Sequence, residues 1–155
     1  FSKYNKWGDE LITKISLYTR AVNSLDDSKD VRISERLSLP KNRLKGFESG
    51  KVGPKDGNDY VGGNYATSLN FSTNLPMLFP SVQTADFAFF IDAGNVWGVD
   101  YSDTVNESNE IRSAAGIGVN WFTPIGPLNF TIAQPITKAS TDKTETFQFS
   151  IGTTF

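Results

Sequence analysis

Residues 145–155 set Phe147, Phe149, Ile151, Thr153 and Phe155 against Thr146, Gln148, Ser150, Gly152 and Thr154, one step at a time up to the carboxyl end. A two-residue period places each set on its own face of an extended strand, one face greasy and the other wet. Termini of soluble domains are usually solvated and frayed, so a final aromatic is out of place there. It suits the closing strand of a transmembrane β-barrel, which shows apolar side chains to lipid, polar ones to the lumen and an aromatic at the interfacial girdle. The expectation is a strand signal formed by Phe147, Phe149, Ile151, Gly152 and Phe155, with Gly152 weakening pairing in that strand.

The rest of the chain repeats this pattern. Residues 11–20 place Ile15 and Leu17 opposite Lys14, Ser16, Tyr18 and Arg20, and residues 63–73 set Tyr65, Thr67, Leu69 and Phe71 against Asn64, Ala66, Ser68, Asn70 and Ser72. Residues 85–97, 111–122 and 128–133 alternate in the same way. About six antiparallel strands are predicted, and no long segment repeats its apolar residues at helical spacing. Parity turns Phe87, Phe89, Val119, Phe130, Phe149 and Ile151 toward lipid, and Asn64, Arg112, Asn120, Asn129 and Gln148 inward. The fold class is all-β, a partial antiparallel transmembrane β-barrel.

Loop lengths give the sheet a direction. Residues 123–127 (Thr-Pro-Ile-Gly-Pro) make a tight turn, whereas residues 23–60, 98–109 and 136–144 are longer and polar. Outer-membrane barrels have short periplasmic turns and long outside loops. With the carboxyl end periplasmic, counting crossings puts the three long loops outside and the Pro-rich turn inside. Residues 75–84, with Pro76 and Pro80, fall on the periplasmic side but are long for such a turn.

Composition narrows the function classes. The 155 residues hold no Cys and no His, which removes disulfide frameworks, thiol chemistry and the commonest general base and metal ligand. An outer-membrane hydrolase would lack the His of a Ser-His pair. A net charge of -2 with scattered basic residues gives no electrostatic footprint for nucleic acid. No strand leads into a phosphate-cradling Gly loop, and neither cofactor nor metal is expected. A soluble β-sandwich binding module also alternates; the terminal Phe155 and the loop asymmetry argue against it. The opening Phe1-Ser2-Lys3-Tyr4 has no initiator Met or secretory signal, so the chain reads as a piece of a longer precursor.

Within the longest loop, Arg43-Leu44-Lys45-Gly46-Phe47-Glu48 is followed by Gly50-Lys51-Val52-Gly53-Pro54-Lys55. Taken alone, Lys-Gly-Phe reads as a solvated turn with Gly at a special backbone angle. The stretch nevertheless resembles the Arg-Gly-Phe loop motif of the BamA outer-membrane assembly family. Asp59-Tyr60-Val61-Gly62-Gly63-Asn64, Phe90-Ile91-Asp92-Ala93-Gly94-Asn95-Val96-Trp97, Ile111-Arg112-Ser113-Ala114-Ala115-Gly116-Ile117, Pro124-Ile125-Gly126-Pro127-Leu128, Ala133-Gln134-Pro135 and Phe147-Gln148-Phe149-Ser150-Ile151-Gly152 are similar to family segments in the same order.

The resemblance implies that residues 1–155 are the carboxy-terminal part of a sixteen-stranded barrel, from about the eleventh strand on, with a long extracellular loop at 23–60. The family's POTRA domains and early strands would lie outside the chain. It also implies a non-enzymatic factor that folds and inserts β-barrel proteins into the bacterial outer membrane. Its partners would be the lipid bilayer, unfolded β-barrel clients and accessory assembly lipoproteins. A related polypeptide translocation or secretion barrel is the alternative. By the same resemblance the loop motif is Leu44, Lys45, Gly46 and Phe47, and the barrel-wall partners are Asp92 and Asn70. Lys45 stands where the family has Arg, keeping the charge without the planar fork. The plain reading of Asp92 is an acid in a wet lumen.

Overall fold

The computed structural model describes residues 1–7, 11–26, 28–76, 84–105 and 109–152. Phe155 and most of the 75–84 connection lie outside them. Seven strands form one sheet, β1 (Ser2–Trp7), β2 (Leu11–Ala21), β5 (Tyr65–Asn74), β6 (Ala85–Trp97), β7 (Arg112–Thr123), β8 (Gly126–Thr137) and β9 (Phe147–Ile151). Two short strands, β3 (Lys55–Asp56) and β4 (Asp59–Tyr60), make a separate hairpin. The sheet order is β1-β2-β5-β6-β7-β8-β9, so each strand pairs with the strand of this sheet that follows it in the chain, always antiparallel. Strands β2 and β5 to β8 are 10 to 13 residues long, enough for a tilted strand to cross a bilayer.

The sheet has one strand more than the alternation predicts. In β1 polar residues sit on both faces: Lys3 and Asn5 share a side with Trp7, and Ser2 and Lys6 share the other with Tyr4. Backbone pairing from Ser2↔Ser16 to Trp7↔Leu11 places this strand where side-chain pattern is silent. The other departure is at Gly152. The alternation runs on past it, but β9 ends at Ile151 and Gly152 takes φ +107°, a conformation that leaves the extended ladder. Its N–H donates to Pro127 O at 2.8 Å, closing the strand against the start of β8.

The two faces of the sheet differ as the parity requires. Leu69, Ile91, Ile117, Ile132, Phe149 and Ile151 are exposed on one face. A continuous apolar surface of this kind is unfavourable in water and suits lipid. The other face carries the polar residues Ser16, Ser68, Asp92, Arg112, Asn129 and Gln148, all buried. What buries many of them is the segment between β2 and β5, which folds back onto this face. Leu37, Leu39, Leu44, Phe47 and Val52 from that segment form a small core with Ala66, Val96 and Ala114 of the sheet. Beyond the core, a cavity of about 650 Å³ is lined from Ser2 and Tyr4 of β1 around to Gln148 and Ser150 of β9. The sheet is therefore a curved wall, and the inner face is the loop-bearing one.

Where β7 meets β8, the register shifts between Ser113 and Ala114. Pro135 opposes Ala114 and Thr137 opposes Ser113, leaving Ile136 as the extra residue. Proline has no N–H for the ladder, and such residues in sheets are confined to edges and bulges.

Candidate functional site

The site is built where residues 43–48 meet the inner wall. Gly46 has φ +88°, and a Cβ there would lie 3.1 Å from both Ala114 Cβ and Ala133 Cβ. Small residues on β7 and β8 thus let the loop backbone approach, and only glycine takes that angle at little cost. On either side, Leu44 and Phe47 are almost fully buried, so the loop is held by apolar packing before any charge is considered. Of the small inward residues on β7, only Ala114 receives the loop in this way. A Cβ on Gly116 would lie 2.7 Å from Phe90 Cζ, so Gly116 makes room for that ring, and Gly118 faces the cavity.

Asp92, wholly buried on β6, is the polar centre. Its Oδ2 accepts from the Lys45 backbone N–H at 3.0 Å and lies 2.8 Å from Lys45 Nζ. Its Oδ1 accepts from Asn70 Nδ2 at 2.9 Å, and the same amide donates to Arg43 O at 2.8 Å. Asn70 and Asp92 are directly opposed on β5 and β6. The Lys45 ammonium also stands 4.3 Å from the centroid of the Phe90 ring, an attractive cation–π arrangement. A buried carboxylate is tolerated only when paired and hydrogen-bonded, and here both oxygens have donors. Lys45 thus meets Asp92 through one ammonium and its own backbone N–H, where Arg would offer a fork.

Three cationic contacts that sequence alone did not reveal complete the attachment. Arg43 Nη1 donates to Ser16 Oγ at 3.0 Å, and its guanidinium stands 5.0 Å from the Tyr18 ring centroid, tying the loop to β2. Arg112, fully buried, grips Asp142 bidentately, Nε to Oδ2 at 2.9 Å and Nη2 to Oδ1 at 3.1 Å. Arg36 pairs with Asp100 and donates to Asn64 Oδ1 at 3.2 Å. Burial pushes the Asp100 carboxyl up, but hydrogen bonds from Val31 N–H, Asn64 and Arg36 outweigh it and hold the group at about 2. The one advance signal was Arg112 itself: an inward cation demands a counter-charge, and the nearby loop carries Asp142 and Glu145.

At the other end of the wall, Phe147 and Phe149 of β9 are exposed on the outer face, with Phe130 of β8 between them at ring-centroid distances of 6.5 and 5.2 Å. Ile151 faces the same way and Gln148 points inward. Phe155 lies outside the described residues.

A curved antiparallel wall, apolar outside and polar inside, with a long loop folded back onto its inner face, defines a piece of a membrane β-barrel of the kind that carries an internal loop. The Omp85 superfamily domain matches residues 1–155, and the chain belongs to that superfamily. It is 32% identical over 139 residues to the outer membrane protein assembly factor BamA of Neisseria meningitidis, covering 72% of this chain and 17% of the relative. It is 32% identical over 145 residues to BamA of Neorickettsia risticii, covering 91% and 19%. A SAM50-like protein of Schizosaccharomyces pombe is 29% identical over 162 residues, covering 92% and 33%. The crystal structure of BamA from Haemophilus ducreyi lacking POTRA domains 1-3 matches with a TM-score of 0.84 at 28% identity, over 96% of this chain and 32% of that one. The chain is a BamA-family barrel part and spans at most a third of the length of these relatives.

Proposed function

We propose that this chain is the carboxy-terminal part of the barrel of an outer-membrane assembly factor, which folds and inserts other β-barrels into the bacterial outer membrane. Support comes from the relatives named as assembly factors and from the apolar outer face, which fits the lipid bilayer. The observation that carries the reading is the loop tied into the inner wall through Lys45 and Asp92, beside a short final strand. In this reading residues 23–60 form an extracellular loop, POTRA domains and earlier strands belong to the rest of the parent protein, and accessory assembly lipoproteins are partners of the whole. Leu44, Lys45, Gly46 and Phe47 are the docking motif, with Asp92 and Asn70 as its receptor. Phe147, Phe149, Ile151, Gly152 and Phe155 form the closing-strand signal.

The mechanism follows from the cost of unpaired backbone in hydrocarbon. Each unsatisfied N–H or C=O there costs several kcal/mol, so an exposed strand edge within the membrane is a template for another strand. Among the described residues β9 stands last in the sheet and its ladder is to β8, along Leu128–Ile132, so in this reading its other edge borders the seam between the first and last strands of the parent barrel, where a client strand adds by β-augmentation.

The test uses charge exchange in the full-length parent. Asp92→Lys should impair insertion of β-barrel clients into vesicles, and adding Lys45→Asp should restore part of the loss. If the double exchange is no better than the single one, Lys45 is an ordinary loop residue. Export of a soluble polypeptide without insertion of barrel clients would instead make the parent a translocation barrel.

A further inference from the structure

The loop that docks at Asp92 is attached a second time, to the segment leading into β9. Glu145 N–H donates to Gly46 O at 3.0 Å, Glu48 N–H to Lys143 O at 3.0 Å, and Lys143 N–H to Lys51 O at 3.1 Å. Phe47 and Thr144 pair as an antiparallel bridge. Side chains add to this: Gln148 Nε2 donates to Phe47 O at 3.0 Å and Lys41 Nζ meets Glu145 Oε2 at 3.1 Å. On its other side the same segment returns to the sheet, since Ala133 N–H donates to Thr146 O at 2.8 Å, and β9 begins at the next residue. Residues 143–146 are thus shared between the docked loop and the lead-in to β9.

The root of this shared segment is pinned by charge. Asp142 takes the bidentate grip of Arg112, and its Oδ2 also accepts from Ala139 N–H at 2.7 Å. Both side chains of the pair are fully buried. Planar two-point geometry fixes orientation as well as distance, so Asp142 sets where residues 143–146 leave β7's end of the wall.

From this arrangement we infer that Arg112, Asp142 and Gln148 are positioning residues that couple loop docking to the seating of β9. When the loop is docked, residues 143–146 have partners on both sides and β9 is held against β8; when it leaves, the lead-in to β9 loses one of its two neighbours. Coupling of this kind is reciprocal: whatever loosens β9 must loosen the loop by the same free energy. The consequence for function rests on the assembly-factor reading, in which β9 borders the seam, but the coupling itself does not.

Hydrogen exchange on the full-length parent in a bilayer mimic, without clients or accessory proteins, tests the coupling apart from assembly. Lys45→Ala, which removes an ammonium that meets Asp92 and Phe90 of β6, is expected to speed exchange of the 147–151 amides by about 5-fold or more. Asp142→Asn is expected to speed exchange of residues 44–48 to a similar degree. Exchange in residues 85–88 and 119–122, at the opposite end of the β6–β7 ladder from both ion pairs, should stay unchanged in both. Replacing Arg112 and Asp142 together by Gln and Asn should recover part of the protection, because no buried charge is then left alone. If Asp142→Asn does not assemble, Gln148→Met, which leaves the ion pair intact, supplies the same reading. A change confined to the mutated segment, or one spread evenly over the sheet, would overturn the inference.

Discussion

The inner face of this wall has two halves built from the same strands with the same alternation, yet they are finished differently. Around Arg112, Ala66 and Val96 the inner residues are buried under the loop; around Ser72, Gly118 and Asn120 they line a cavity of about 650 Å³, and Asp92 stands at the border, wholly buried yet at the cavity's edge. Nothing in the local pattern of β5, β6 or β7 separates the halves. What differs is whether a distant segment packs on them, and that segment comes with its own apolar anchors, Leu44 and Phe47, and its own charges. Polar inner positions therefore have two meanings in one strand: a partner for the loop in one half, a wet lining in the other.

That contrast predicts unequal costs for similar substitutions, read as denaturant-dependent loss of the folded barrel in the full-length parent. Phe47→Ala empties a fully buried site and is expected to cost about 3–5 kcal/mol of loop attachment, whereas Asn120→Ala in the cavity half should stay within about 0.5 kcal/mol. Equal effects would erase the distinction between the halves. Turning to the outer face, Ile151→Arg should hinder assembly by about 2–4 kcal/mol if this position sits at mid-membrane and less toward an interface. Spin-label accessibility to a lipid-phase quencher at Ile151 and Gln148, high at the first and low at the second, checks the same assignment.

Smaller effects sharpen the account of the docked half. Gly46→Ala puts a Cβ against Ala114 and Ala133 at an unfavourable φ, with an expected cost of about 1–3 kcal/mol; Gly50→Ala, also at positive φ but with nothing near its Cβ, isolates the conformational part. The smallest effect concerns pH. Asp100 sits at about 2 in the folded loop, below its ordinary 3.8. Its contribution is fully present above pH about 4 and is lost as pH falls toward 2. Peptic cleavage in residues 31–36 should rise over that window, and Asp100→Asn should remove the pH dependence.

Much of the wall was readable in advance because a strand between lipid and water must alternate at every residue. The outward set from Phe87 to Ile151 and the inward set of Asn64, Arg112, Asn129 and Gln148 came from parity, and the register rows carry them: Phe87↔Val119, Val119↔Phe130 and Phe130↔Phe149 continue one another across four strands. Strand β1 was not readable, because Lys3 and Asn5 share a face with Trp7 and only backbone pairing with β2 defines it. The turn at Gly152 was hidden for a related reason: a glycine has no side chain to report which backbone angle it takes.

The candidate site divides in the same way. Residue types along the chain, through their likeness to a family motif, named Lys45 and Asp92 together, and the structure sets them 2.8 Å apart with Asn70 between the loop and the wall. The pairing of Arg112 with Asp142, of Arg43 with Ser16 and Tyr18, and of Gln148 with Phe47 O joins residues 25 to 101 positions apart in sequence or placed on different strands. Sequence by itself determined the alternation and the two faces, since these follow from local chemistry and a two-residue period. Only the tertiary structure decided which acid answers which base and which half of the lumen the loop fills, because those depend on how a long segment closes back through space onto strands it does not adjoin.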